Sequence, residues 1–124
     1  MKIKLLILII GILTAMNIIS CGQKSQNKKY IIGFSQCNSA EPWREAMNKK
    51  MQEAADQHPE IELIIADAQQ DNSKQVADVE NFIVKEIDLL IISPNEAQPL
   101  TAVVEKAFNK DIPVIVLDRK ILSD

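Results

Sequence analysis

The chain has 124 residues, 47% hydrophobic, 25% charged and 4% aromatic, with a net charge of −3. That is enough for one ordinary globular domain; it excludes wholesale disorder and a disulfide scaffold built on the two cysteines, and it argues against a base-stacking surface for single-stranded nucleic acid. Setting aside Lys2 and Lys4 leaves 12 basic against 17 acidic residues, net −5, so the body of the chain is a poor partner for a polyanion.

Met1 to Lys4 is a short positive segment, and Leu5 to Met16 (LLILIIGILTAM) is an apolar run broken only by Gly11 and Thr14. Ile18-Ile19-Ser20-Cys21 follows, and the sequence then turns polar. An apolar stretch of ~15 residues falls short of the ~20 that span a bilayer, and it fits a signal peptide over residues 1–20. Ile-Ile-Ser-Cys also resembles the bacterial lipobox, which ends on a cysteine that receives a lipid as a thioether. Cys21 supplies the thiol, so residues 21–29 are expected to be a lipidated N-terminus and polar tether. The plain alternative is an uncleaved anchor with an incidental cysteine. Localisation in the periplasm, held to a membrane through Cys21, is the expectation.

Four apolar, β-branched runs follow: Tyr30–Ser35, Ile61–Asp67, Asp88–Ser93 and Ile112–Asp118. Each is nearly continuous, as in strands covered on both faces of a parallel sheet. Between them the period changes to that of a helix. Ala46, Met47, Met51, Ala54 and Ala55 share one face of a helix opening at Pro42 and stopping before Pro59. Val76, Val79, Ile83 and Ile87 form a second stripe, with Asn72 and Gln75 spaced as a capping box. Leu100, Val103, Val104, Ala107 and Phe108 form a third, opening at Pro99. Strand ends 25 to 32 residues apart imply right-handed β-α crossovers and a three-layer α/β fold with a parallel sheet over residues 30–124. The chain stops six residues past Asp118, before a further helix and strand could cover that edge, so an incomplete lobe of a longer protein is expected.

Ligands of open parallel sheets bind at the carboxyl ends of the strands. Four polar groups of residues stand there: Ser35-Gln36-Cys37-Asn38, Asp67-Ala68-Gln69, Ser93-Pro94-Asn95-Glu96 and Asp118-Arg119-Lys120. A carboxylate accepts from two sugar hydroxyls, an adjacent guanidinium donates a planar fork, and an indole face suits the C–H side of a sugar ring. Asp118, Arg119 and Trp43 have those chemistries, with Arg44 beside the indole. The plainer reading makes Trp43 a cap on the core and pairs Asp118 with Arg119 or a lysine.

The segments IIGFSQ, EPWREAM, ADAQQDNSKQVADVENFI, IDLLIISPNEA and IPVIVLDRK together resemble the N-terminal lobe of a periplasmic sugar-binding protein of the ribose/galactose type, over about Lys29 to Lys120. That resemblance implies a type 1 periplasmic binding protein fold whose two lobes close over a sugar. It implies ligand contacts from Asp118, Arg119 and Trp43, with Ser35 and Gln36 lining the same cleft. Glu41 stands where many relatives have Asn, and Arg44 where many carry a second aromatic; both are expected to face the ligand. The same motifs are similar to the periplasmic sensor domains of hybrid two-component regulators. The implied partners are therefore a small-molecule sugar and either an ABC transporter permease or a histidine kinase, with uptake or sensing as the output.

Other functions lack their residues. SQCNSAEP contains no glycine, which excludes the dinucleotide fingerprint Gly-x-Gly-x-x-Gly. Ser93 stands where a receiver domain needs its phosphorylated Asp. His58, the lone histidine, precedes Pro59 in a loop and gives metal or triad chemistry no base. Cys37 reads as a small, half-buried side chain rather than a nucleophile. Related cytosolic repressors begin with a DNA-binding helix-turn-helix, and an export signal stands in its place here. No enzyme activity, cofactor, metal or nucleic acid is expected.

Overall fold

A computed structural model of the chain describes residues 28–122. The signal peptide, Cys21 and most of the tether lie outside the described residues. Within them, β1 (Tyr30–Gln36), α1 (Pro42–Ala55), β2 (Ile61–Asp67), α2 (Asn72–Val84), β3 (Leu89–Ser93), α3 (Ala97–Phe108) and β4 (Val114–Val116) alternate along the chain. All strand pairs are parallel, in the order β2-β1-β3-β4.

That order fixes the layers. From β1 the chain steps one way to β2, then back across β1 to β3 and onward to β4. With right-handed crossovers, such a reversal places α1 on one face of the sheet and α2 and α3 on the other. Side chains at the end of β1 confirm the split, because successive strand residues point to opposite faces. Gln36 meets Asn48 of α1, whereas Ser35 meets Gln75 of α2.

The core lies on the α2–α3 side. Val79, Phe82 and Ile83 from α2, Leu100, Val103, Val104 and Ala107 from α3, and Leu90 and Ile92 from β3 form one buried cluster. Gly33 is required where α2 crosses β1, since a Cβ there would stand 2.8 Å from the Phe82 ring and 2.9 Å from Ile87. At the opposite end of the sheet, the Ile31 amide donates to Asp88 Oδ2 at 2.8 Å. That bond, with Lys28 nearby, holds the Asp88 carboxyl below the usual carboxylate range against the smaller effect of burial.

Several local expectations are corrected. Helix α2 is capped by Asp71, whose Oδ1 accepts from the amides of Ser73 and Lys74. Asn72 is already helical and Gln75 is turned inward and buried, so the pair forms no capping box. Ile87 is buried but falls beyond the end of α2. Helix α3 starts at Ala97, with Pro99 in its first turn, and Phe108 is 67% exposed at its last turn rather than in the stripe. On α1, Ala46 and Ala54 face solvent; the inward stripe runs through Arg44, Met47, Met51 and Ala55. Strand β4 is three residues long, and Ile115 and Val116 on this edge strand are exposed. Cys37 is fully buried rather than half-buried.

Replacing Gly33 with Ala should destabilise the fold by about 1–3 kcal/mol, the usual cost of forcing an extra methyl into a packed core. Urea unfolding measures this, and a Gly33→Ala protein as stable as the parent would show that the α2–β1 contact is looser than described.

Candidate functional site

The reversal of strand order opens a crevice at the carboxyl ends of β1 and β3, where no helix crosses the sheet edge. Helix α1 enters this crevice. Glu41 is its N-cap but makes no side-chain capping bond. Instead its Oε2 accepts from Arg44 Nε at 2.5 Å, one turn into the helix. Pro42 fixes the first turn and leaves the next two side chains with different fates: Trp43 is 50% exposed and Arg44 only 1%.

Arg44 is the largest fully buried side chain among the described residues. Its NH1 donates to Gln36 Oε1 at the end of β1 and to Ser93 Oγ at the end of β3, both at 2.8 Å. Its NH2 donates to Asp118 Oδ2, just past β4, also at 2.8 Å. Four of the five guanidinium donors are thereby engaged. Burial opposes the charge, but the hydrogen bonds to Asp118 and Glu41 outweigh it, and the Arg44 pKa is raised. The indole of Trp43 stacks over the guanidinium, with 4.1 Å from Cζ to the ring centroid.

Asp118 adopts a left-handed backbone with φ of 67°. The Leu117 carbonyl accepts from the Arg119 amide at 2.8 Å, closing a three-residue turn around Asp118. Positive-φ turns of this kind are rare and strained for residues other than glycine. The turn directs the Asp118 carboxylate back over the sheet edge to Arg44 and sends the Arg119 side chain the other way. Arg119 NH1 donates to the Asn95 carbonyl in the β3–α3 loop, and Arg119 Nε stands 3.9 Å from Asp118 Oδ2. The Asp118 side chain remains 35% exposed and that of Arg119 50%. Two carboxylates and two guanidiniums thus meet at one edge with their charges balanced.

The periplasmic binding protein domain family matches residues 32–124. The chain belongs to the periplasmic binding protein family. It is 35% identical over 96 residues to the ribose import binding protein of Bacillus subtilis (strain 168), a match covering 77% of this chain and 31% of that protein. It is 36% identical over 90 residues to the galactofuranose-binding protein of Escherichia coli (strain K12), covering 73% and 28%. The fructose-binding periplasmic domain of a hybrid two-component system superposes with a TM-score of 0.73 at 47% identity, covering 77% of this chain and 31% of that one. The chain therefore spans about a third of the length of these relatives. Its parallel four-stranded sheet with alternating helices is that of the type 1 periplasmic binding protein fold.

Within this periplasmic binding protein lobe, the structure brings Gln36, Glu41, Trp43, Arg44, Asp118 and Arg119 together at one sheet edge, but Gln36 and Arg44 are buried there and hydrogen-bonded to each other instead of facing outward as expected. Ser35 does not join them. It is buried on the opposite face, where its hydroxyl accepts from Gln75 Nε2 at 3.2 Å, because residues 35 and 36 must point to opposite sides of a strand. Asp118 takes Arg44 as its closest partner, an ion pair across 74 residues that neighbouring sequence positions do not suggest. Ser93, Gln75 and Asn95 were not singled out from the sequence as site residues. Their one signal was position, since Ser93 and Asn95 follow a strand at its binding end.

Removing the Arg44 guanidinium leaves Gln36, Ser93 and Asp118 without their common donor. Arg44→Met should cost about 2–4 kcal/mol, the range for breaking a buried charge pair reduced for the partly exposed carboxylates. Arg44→Lys should recover only part of this, because an ammonium lacks the planar fork. Denaturant unfolding of the two variants checks both statements; a loss below about 0.5 kcal/mol for Arg44→Met, the size of an ordinary surface substitution, would contradict the buried network.

Proposed function

We propose that this lobe forms one wall of a sugar-binding cleft in an exported, non-enzymatic binding protein, with Asp118, Arg119 and Trp43 as the principal contacts. The observation that carries the reading is the balanced set of hydrogen-bonding groups at the strand ends beside a half-exposed indole. A neutral polyol offers hydroxyls that both accept and donate, which suits one free carboxylate edge and one exposed guanidinium. The indole supplies an apolar face for the ring. Glu41, Gln36 and Arg44 hold that edge from beneath, with Glu41 close enough to the rim to meet the same ligand. Relatives named for ribose, galactofuranose and fructose support the same class of ligand.

Sugar hydroxyls lose water on binding, so removing one partner leaves a polar group unsatisfied at ~1–3 kcal/mol. In the complete gene product, Asp118→Ala or Arg119→Ala should weaken binding of D-ribose or D-fructose tenfold or more, since ~1.4 kcal/mol is one decade. Lys110→Ala, beyond the far end of α3, should leave affinity unchanged. Calorimetry on the three variants decides it, and unchanged affinity in both Asp118→Ala and Arg119→Ala would place the site elsewhere.

Delivery of the sugar to an ABC transporter permease is the proposed output. Sensing through a histidine kinase is the second reading, favoured by the 47% identity to a hybrid two-component periplasmic domain. The coding sequence downstream of Asp124 discriminates them: a second α/β lobe that terminates fits transport, and a membrane span leading to a kinase fits sensing.

We also propose that residues 1–20 are removed as a signal peptide and that Cys21 carries a lipid anchoring the protein at the periplasmic face of a membrane. The lipobox-like Ile18-Ile19-Ser20-Cys21 supports this. Metabolic labelling with a fatty acid should mark the natural protein and not Cys21→Ser; equal labelling of both would refute the anchor.

A further inference from the structure

Gln75 is completely buried at the start of α2, yet it takes no part in capping that helix. Its Nε2 donates to Ser35 Oγ at 3.2 Å and to the Ser93 carbonyl at 3.0 Å, so it grips the ends of β1 and β3. Its Oε1 accepts from the Asn95 backbone amide at 2.8 Å. Every hydrogen-bonding atom of the carboxamide is thereby used inside the protein. Asn95 is held on its other side as well, its Nδ2 donating to Asn72 Oδ1 at 2.8 Å and to the Gln70 carbonyl at 3.1 Å. The free end of this assembly is the Asn95 carbonyl, and that carbonyl receives Arg119 NH1.

We propose that Gln75 is a positioning residue for Arg119, acting through the backbone of Asn95. This rests on the reading of Arg119 as a sugar contact. An exposed arginine has many rotamers, and fixing one of them costs entropy on binding unless the protein has already done so. The Asn95 carbonyl does so here, but a carbonyl in a loop is only as well placed as its own peptide unit. Gln75 ties that unit to the two central strands from inside the sheet. The loop's acceptor is thus locked to the same strand ends that Arg44 grips from the opposite face, and Ser93 is shared by both: its hydroxyl serves Arg44 and its carbonyl serves Gln75.

The test uses the complete gene product and two variants. Gln75→Met keeps the shape and removes all three hydrogen bonds. Gln75→Glu keeps an acceptor for the Asn95 amide and at most one donor, the O–H of its protonated form. In the ligand-free protein, Gln75→Met should raise the hydrogen-exchange rate of the Asn95 amide at least tenfold and lower the NMR order parameter of the Arg119 Nε–H group. The Leu63 amide in β2 should stay within twofold. Gln75→Glu should retain most of the Asn95 protection. With D-fructose and D-ribose as probes, Gln75→Met should weaken binding about tenfold in the natural background and have no further effect in Arg119→Ala. Losses that simply add in the double variant, or an Arg119 group that stays as ordered in Gln75→Met as in the parent, would overturn the proposal. If neither sugar binds, the sugar reading falls, while the exchange and order measurements still decide the positioning.

Discussion

Arg44 carries a full positive charge at a position that water does not reach, and the arrangement of the sheet edge follows from satisfying it. An isolated buried guanidinium would be prohibitive; one with four hydrogen bonds and two carboxylates is not. The donors of a planar fork lie in fixed directions, so the acceptors must come to them. They come from β1, β3, the turn after β4 and the N-cap of α1. Three strand ends and a helix start are therefore referred to one rigid group.

The topology makes such a point available. Only where the strand order reverses do two adjacent strands send their following helices to opposite faces, leaving their carboxyl ends uncovered. Residues there cannot join the apolar core and cannot all be solvated. The structure resolves this with two polar systems, Arg44 below one face and Gln75 below the other, which meet at Ser93. Among the described residues, no buried side-chain nitrogen or oxygen is left without a hydrogen-bond partner. A satisfied network of this kind is rigid, and rigidity at the base of a site is what lets the exposed groups above it act as a fixed template.

The sheet was legible because parallel strands buried on both faces are written as unbroken β-branched runs, and β2 begins and ends where its run does. The helices were legible as stripes, but stripes report hydrophobicity and not burial. Arg44 lies in the inward stripe of α1 and Phe108 outside that of α3, each against the ordinary preference of its residue type. The shortness of β4 could not be read, because Ile112 and Pro113 continue the apolar run although the strand begins only at Val114. Among the candidate site residues, Asp118, Arg119 and Trp43 could be proposed from chemistry and position. The partner of Asp118 could not, since the pair spans 74 residues and depends on a side chain whose inward turn is set by tertiary packing. Gln75 was misread for a similar reason: three residues after Asn72 it fits a local cap, and a buried long-range role leaves the same sequence pattern.

Asp118 shows why the buried arginine matters to the exposed rim. Its left-handed backbone is an unfavourable conformation for a residue with a Cβ, and such strain persists only where the surroundings over-determine it. Here the Arg44 pair holds the side chain and the hydrogen bond from the Arg119 amide to the Leu117 carbonyl closes the turn. The same turn that presents one carboxylate to the interior throws the next residue outward, so that Arg119 reaches Asn95 instead of competing for Arg44's partners. The strained turn keeps Arg119 Nε at 3.9 Å from Asp118 Oδ2, outside hydrogen-bonding range. Each charge therefore has a separate support inside the protein.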